Sequence, residues 1–170
     1  MRPLFVTAAL LGLTPAAGAH FVFVYVDGAE ARLVFGHTAA PDPAAFPARA
    51  EKTALIARDT DGKETKLAAE KGHGNFFRAK LPGRPVVVFG TTEAGVTQRG
   101  DAPPLLSVYY PKLIVGDPFA AGTAAGTPLE LVPFKDGDRV RFQTLAAGKP
   151  VAGVEVTVGV PAAAEEEAEV

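Results

Sequence analysis

Short apolar runs separated by turn-forming residues recur along most of the chain, and this pattern constrains the fold more than any other feature. Strand-length runs occupy residues 21–26, 31–35, 53–58, 75–80, 86–91, 106–110 and 112–115. Asp27-Gly28, Asp61-Gly62, Pro82-Gly83 and Gly100-Asp101 supply turns between several of them. The pattern predicts an all-β protein, an antiparallel sandwich or barrel with its core over residues 20–116.

A second, shorter β unit is expected after the sandwich. Residues 117–127 are rich in Gly, Ala, Thr and Pro and are interpreted as a linker with little to pack. Three runs at 129–132, 140–145 and 154–158 follow, and they predict a short or incomplete β unit over residues 128–160. Residues 161–170 carry four glutamates and are interpreted as a solvated acidic tail.

The first nineteen residues have the organisation of a secretory signal peptide. Arg2 provides the positive charge, residues 4–13 form the apolar run, and Ala17-Gly18-Ala19 matches an A-x-A cleavage site. A run of about ten residues is too short to cross a bilayer, for which about twenty are needed. We therefore expect a periplasmic or secreted protein, with no direct membrane insertion after cleavage, whose mature chain begins at His20.

Composition removes several classes of function. The chain has a net charge of −2 and therefore lacks the excess of basic residues that is typical of nucleic-acid-binding proteins. The chain contains no cysteine, which excludes disulfides, thiolate ligands and a cysteine nucleophile. Ser107 is the only serine, and it lies inside an apolar run, which disfavours a serine hydrolase. A non-enzymatic protein is the expectation.

Cleavage before His20 would give that residue an unusual combination of donors. A free N-terminal histidine carries an α-amine and a ring Nδ1 spaced to chelate one ion, and nitrogen donors suit nickel, copper or zinc. The alternative is that the cleavage site merely precedes a histidine by chance.

Pairing of the first two predicted strands decides whether His37 reaches His20. With a four-residue loop over 27–30, His20 faces His37, whereas a two-residue Asp-Gly loop makes His20 face Phe35. Directly opposed side chains have Cβ atoms about 4.5–5.5 Å apart. Two imidazoles at that separation can share one metal ion. The alternative for His37 is a solvated loop residue.

Three further residues are weaker candidates for the same site. His73 lies in a glycine-flanked turn, where it is either a third imidazole ligand or a solvated side chain. Tyr109 and Tyr110 could close the pocket, although aromatic residues in strands more often pack in a core or at an edge.

Four segments resemble the NikM-like family of exported domains, which are associated with nickel uptake alongside ABC-type or energy-coupling transporters. They are HFVFV at 20–24, LVFG at 33–36, SVYYPK at 107–112 and GKPVAGV at 148–154. The resemblance implies an immunoglobulin-like or transthyretin-like sandwich and a metal role for His20. It also implies a membrane metal transporter as partner. The GKPVAGV segment resembles carboxypeptidase-regulatory-like domains.

Three functions are compatible with these features. The leading one is an exported, non-enzymatic protein that binds a divalent transition metal, nickel first and copper or zinc as alternatives, through His20, His37 and His73. The second is a structural β-sandwich interaction module without metal. The third, a copper oxygenase with an N-terminal histidine brace, is disfavoured by the absence of Trp and by only three Tyr.

The exported protein should begin at His20, because Ala17-Gly18-Ala19 directs cleavage to the following bond. The intact mass of protein recovered from the periplasm or medium measures this directly. A mature start several residues away would remove the chelating amine and most of the metal argument.

Overall fold

The computed structural model describes residues 20–40, 49–98, 100–120 and 122–156, and its regular structure there is antiparallel β-sheet. The strands are β1 (Phe21–Asp27), β2 (Glu30–Gly36), β3 (Ala54–Arg58), β4 (Glu64–Leu67), β5 (Glu70–Lys71), β6 (Phe76–Lys80), β7 (Val87–Thr97), β8 (Leu105–Tyr109), β9 (Lys112–Ile114), β10 (Leu129–Asp136), β11 (Arg139–Ala146) and β12 (Lys149–Pro150). The all-β prediction is confirmed. None of the described segments forms a helix long and apolar enough to cross a membrane. The predicted signal peptide and acidic tail lie outside the described residues.

Two sheets pack face to face to form the main core. The first has the order β1-β2-β6-β5, and the second has the order β4-β3-β7-β8, with β9 also paired to β7. One cluster of buried side chains joins them, with Val22, Val24, Leu33, Phe35 and Phe77 from the first sheet and Leu55, Ala57 and Val88 from the second. The expected antiparallel sandwich is therefore present. Its immunoglobulin-like or transthyretin-like assignment stays a prediction.

Strand β7 is the longest of the described strands, and it pairs with two strands along the same edge. Its first part pairs with β9, and its second part pairs with β8. A bulge between Glu93 and Gly95 interrupts the ladder with β8, and Gly95 has a φ of 96°, a value that residues with a Cβ rarely adopt. Beyond this bulge the β7–β8 ribbon ends in an apolar tip formed by Val96, Leu105 and Leu106, all exposed.

The strand predictions fail in polar and terminal segments. The apolar alternation does not predict strands β4 and β5, because Glu64–Leu67 and Glu70–Lys71 are mostly polar edge segments. The last predicted strand, 154–158, is wrong for residues 154–156, which are not paired, and its remainder lies outside the described residues. Instead the short β12 completes a third sheet of order β10-β11-β12.

The segment interpreted as a linker is packed rather than loose. Ala125 is buried against Val87 and Phe89 of the second sheet, and Thr123 and Thr127 are also buried. The Arg58 guanidinium donates hydrogen bonds to the backbone carbonyls of Ala124 and Ala125. The expectation that this segment has little to pack is therefore wrong. Every second small side chain of the segment is buried, and its backbone carbonyls accept hydrogen bonds from Arg58 of the sandwich. Composition alone does not reveal either contact.

Glu130 of β10 attaches the third sheet to the sandwich. Its carboxylate accepts hydrogen bonds from Lys112 Nζ at 2.5 Å and from the backbone N–H groups of Ala125 and Gly126. Its side chain is only 2% exposed, and that of Lys112 is 11% exposed. Burial raises the pKa of this carboxyl, but the bonds from Lys112 and the backbone, with the Lys112 charge, outweigh burial and hold the pKa below its ordinary value.

Glu130→Gln should lower the free energy of unfolding at neutral pH by about 3 kcal/mol, because it leaves the buried Lys112 ammonium without a counter-charge. A depressed folded-state pKa means that the ionised carboxylate stabilises the fold above the unfolded-state pKa. This contribution disappears as pH falls through the folded-state value. Urea unfolding at about pH 7 and about pH 3 should show a larger acid-induced loss for the parent than for the variant.

The matched control is Glu51→Gln, because Glu51 is exposed. It should change the free energy of unfolding by no more than about 0.5 kcal/mol. Equal acid sensitivity of the parent and Glu130→Gln would contradict the assigned role of Glu130.

Candidate metal centre

The β1–β2 hairpin sets the position of the two leading candidate ligands. Phe21 pairs with Gly36, and the same register continues through the hairpin, with residues 28–29 as the connection. His20 and His37 are the next residues at the open end of this ladder. The register predicted to oppose the two histidines is confirmed, although the connection is two residues rather than four.

The register also places both histidines on the core side of the sheet. Residues at even positions of β1 and odd positions of β2 share that face, and Val22, Val24, Leu33 and Phe35 on it are buried. His20 and His37 continue this face to the rim of the sandwich, where His20 is half-buried and His37 is exposed. An ion could therefore reach them from solvent without opening the core.

The two imidazole rings are in direct contact. Their centroids are 3.9 Å apart and their planes are inclined by 46°. Metal–nitrogen bonds of about 2 Å place each ring centroid about 3 Å from a shared ion, so rings bound at a right angle lie roughly 4 to 5 Å apart. The observed centroid separation of 3.9 Å is close to this range.

Phe35 orients the His20 ring. The two rings are stacked, with centroids 5.4 Å apart and planes inclined by 17°. His20 Nε2 is buried, whereas chelation together with a terminal amine uses the other ring nitrogen, Nδ1. The sequence places Phe35 next to His20 only with a two-residue Asp-Gly loop. The period-2 alternation that links Phe35 to His37 was the signal that both lie on one face.

Tyr109 forms another wall of the site. Its hydroxyl donates a hydrogen bond to the backbone carbonyl of His20 at 3.2 Å. Its ring contacts Phe35 and Phe21 edge-on, with centroids 6.0 and 6.4 Å apart. Tyr110 does not share this role, because it lines a separate groove described below. Of the two tyrosines, Tyr109 is therefore the one that contacts His20.

A positive charge lies beside Phe35, the ring on which His20 stacks. The Arg49 guanidinium lies 5.9 Å from the centroid of Phe35, a contact that sequence reasoning missed because no local pattern marks it. Within the described ranges, no group of three or more His, Cys, Asp or Glu residues is arranged to hold a metal. His73 is exposed in the turn between β5 and β6 and does not complete such a group with the pair.

An apolar groove lies between the sandwich and the third sheet. This apolar groove has a volume of about 490 Å³. Its walls come from the segment 110–119 on one side and from β10 and β11 on the other, with Val140 and Phe142 55% and 51% exposed. It contains no histidine and is distinct from the His20–His37 pair.

Comparison of the chain with protein-family models, with curated proteins and with solved structures finds no match. The resemblance of the four segments to the NikM-like family stays a prediction.

Proton NMR of the protein that begins at His20 should show nuclear Overhauser effects between the ring protons of His20 and His37, because their centroids are 3.9 Å apart. The His73 ring protons should show none to either residue. With three histidines in the chain, assignment by single substitutions is direct. Contacts of His20 with Phe35 but not with His37 would contradict this arrangement.

Proposed function

We propose that this chain is an exported, non-enzymatic protein that binds a divalent transition metal ion through His20 and His37. The observation that carries the proposal is the contact of two imidazoles at the solvent-accessible rim of a buried core. A pair held by a fixed strand register loses little side-chain freedom on binding. Preorganisation of this kind raises affinity.

The third nitrogen ligand is the α-amine of His20, released when the signal peptide is removed. Within the described ranges, the pair is not part of a group of three His, Cys, Asp or Glu residues that could hold a metal, and the terminal amine would add a third nitrogen donor beside it. The precursor has an amide at this position and lacks the donor. Metal binding would therefore be a property of the exported form.

The donor set favours a transition metal over magnesium or calcium. Imidazole and amine nitrogens suit nickel, copper and zinc, whereas the alkaline-earth ions prefer oxygen ligands. The NikM-like resemblance selects nickel and suggests a membrane metal transporter as partner. Nitrogen sites bind copper more tightly than nickel. A preference for nickel would therefore depend on the geometry of the site or on which metal is supplied. Protons compete for the same nitrogens, so acid should weaken binding.

The apolar groove favours a second candidate function. An interaction module needs an apolar surface, and the groove exposes Val140 and Phe142 beside the sandwich. A structural module of this kind would not depend on the histidine pair. Titration with metal ions separates the two functions, because failure to bind nickel, copper and zinc at micromolar concentrations favours the module.

Replacing His20 or His37 by Ala should weaken nickel binding to the cleaved protein by at least roughly tenfold, because even outer-shell partners of metal ligands contribute 10–100-fold. The double variant should bind little more weakly than the weaker single variant, since ligands of one ion are not additive. His73→Ala is the matched control and should bind like the parent. Isothermal titration calorimetry measures all four proteins.

A chain that retains one residue before His20 should also bind nickel more weakly, because the chelating amine becomes an amide. Circular dichroism before each titration verifies that the variants are folded. Parental affinity in His37→Ala would refute the paired site.

A further inference from the structure

Tyr109 connects the second sheet to the residue that would begin the mature chain. Its hydroxyl donates to the carbonyl oxygen of His20 across a sequence separation of 89 residues. Tyr109 is the last residue of β8, whereas His20 immediately precedes β1. The bond therefore anchors the start of one sheet to the end of a strand in the other.

The Tyr109 ring is itself fixed by its neighbours. It packs against the main core cluster and touches Phe35 and Phe21 edge-on. Aromatic pairs of this geometry add stability beyond simple burial. The hydroxyl is consequently held at a defined position rather than carried on a mobile side chain.

A terminal residue normally frays, and fraying would separate the amine from the imidazoles. Stacking on Phe35 holds the His20 ring, but it does not by itself hold the His20 backbone. The carbonyl that Tyr109 binds and the α-amine are attached to the same Cα, so a bond to one restricts the motion of the other.

We propose that Tyr109 is a positioning residue of the metal site, which holds the His20 backbone so that the terminal amine stays beside the histidine pair. This inference rests on the function proposed above. Tyr109 does not bind the ion, and its contribution depends on the presence of the free amine. A purely structural role of the same hydrogen bond would not have that dependence.

The test compares Tyr109→Phe with Tyr110→Phe in the cleaved protein that begins at His20. Tyr109→Phe removes the hydroxyl and keeps the ring, and calorimetric titration with nickel chloride should show an affinity roughly three- to tenfold lower, as expected for one hydrogen bond. Tyr110→Phe makes the same chemical change in the separate groove and should bind nickel like the parent.

The decisive comparison repeats Tyr109→Phe in a chain that retains one residue before His20. The amine is then an amide, so loss of the Tyr109 hydroxyl should produce no further loss of nickel affinity. An equal loss in both contexts indicates a merely structural role and overturns the proposal. Unchanged affinity of Tyr109→Phe in the cleaved protein, with a parent that binds nickel, also overturns it but leaves the proposed function intact.

A metal-free measurement separates the two proposals further. Backbone ¹⁵N relaxation at the Phe21 amide should report greater fast motion in Tyr109→Phe than in the parent. Equal rigidity in the two proteins contradicts the positioning role whatever their metal affinity. A parent protein that binds neither nickel, copper nor zinc overturns the proposed function and this inference together.

Discussion

The antiparallel register of β1 and β2 determines where the two candidate ligands lie. Each pair from Phe21–Gly36 to Asp27–Glu30 obeys one register, and its next step opposes the two histidines. A slip of one residue would turn His20 to the outer face of the sheet and remove its contact with Phe35. The buried valines and leucine on the same face make such a slip costly, so core packing and ligand placement depend on the same pairing.

The third sheet depends on a different interaction, the buried contact of Glu130 with Lys112. The Glu130 carboxylate also receives the backbone N–H groups of residues 125 and 126, so one side chain satisfies several donors at once. A charge removed from water is tolerated only with such partners. This arrangement also explains why the Gly- and Ala-rich segment before β10 is ordered against the sandwich despite a composition typical of linkers.

Local alternation was sufficient to predict most of the sandwich and the opposition of His20 and His37, because period-2 patterns and turn residues lie within a few positions of each other. It was insufficient for β4 and β5, whose pairing depends on neighbouring strands rather than on their own apolar content. The roles of Tyr109, Arg49 and Glu130 depend on tertiary contacts, which strand periodicity does not encode. Tyr109 reaches His20 across 89 residues, and Glu130 of the third sheet reaches Lys112 of the second.

The bulge in β7 divides the strand into two parts with different tolerance to change. Thr92 pairs with Tyr109 on the core side of the bulge, whereas Val96 pairs with Leu106 beyond it. An extra residue in the ladder absorbs twist and register changes, so the exposed ribbon tip can vary in sequence or length while Tyr109 keeps its place. Evolution or engineering could therefore remodel the tip into a new recognition element and leave the tyrosine beneath it undisturbed.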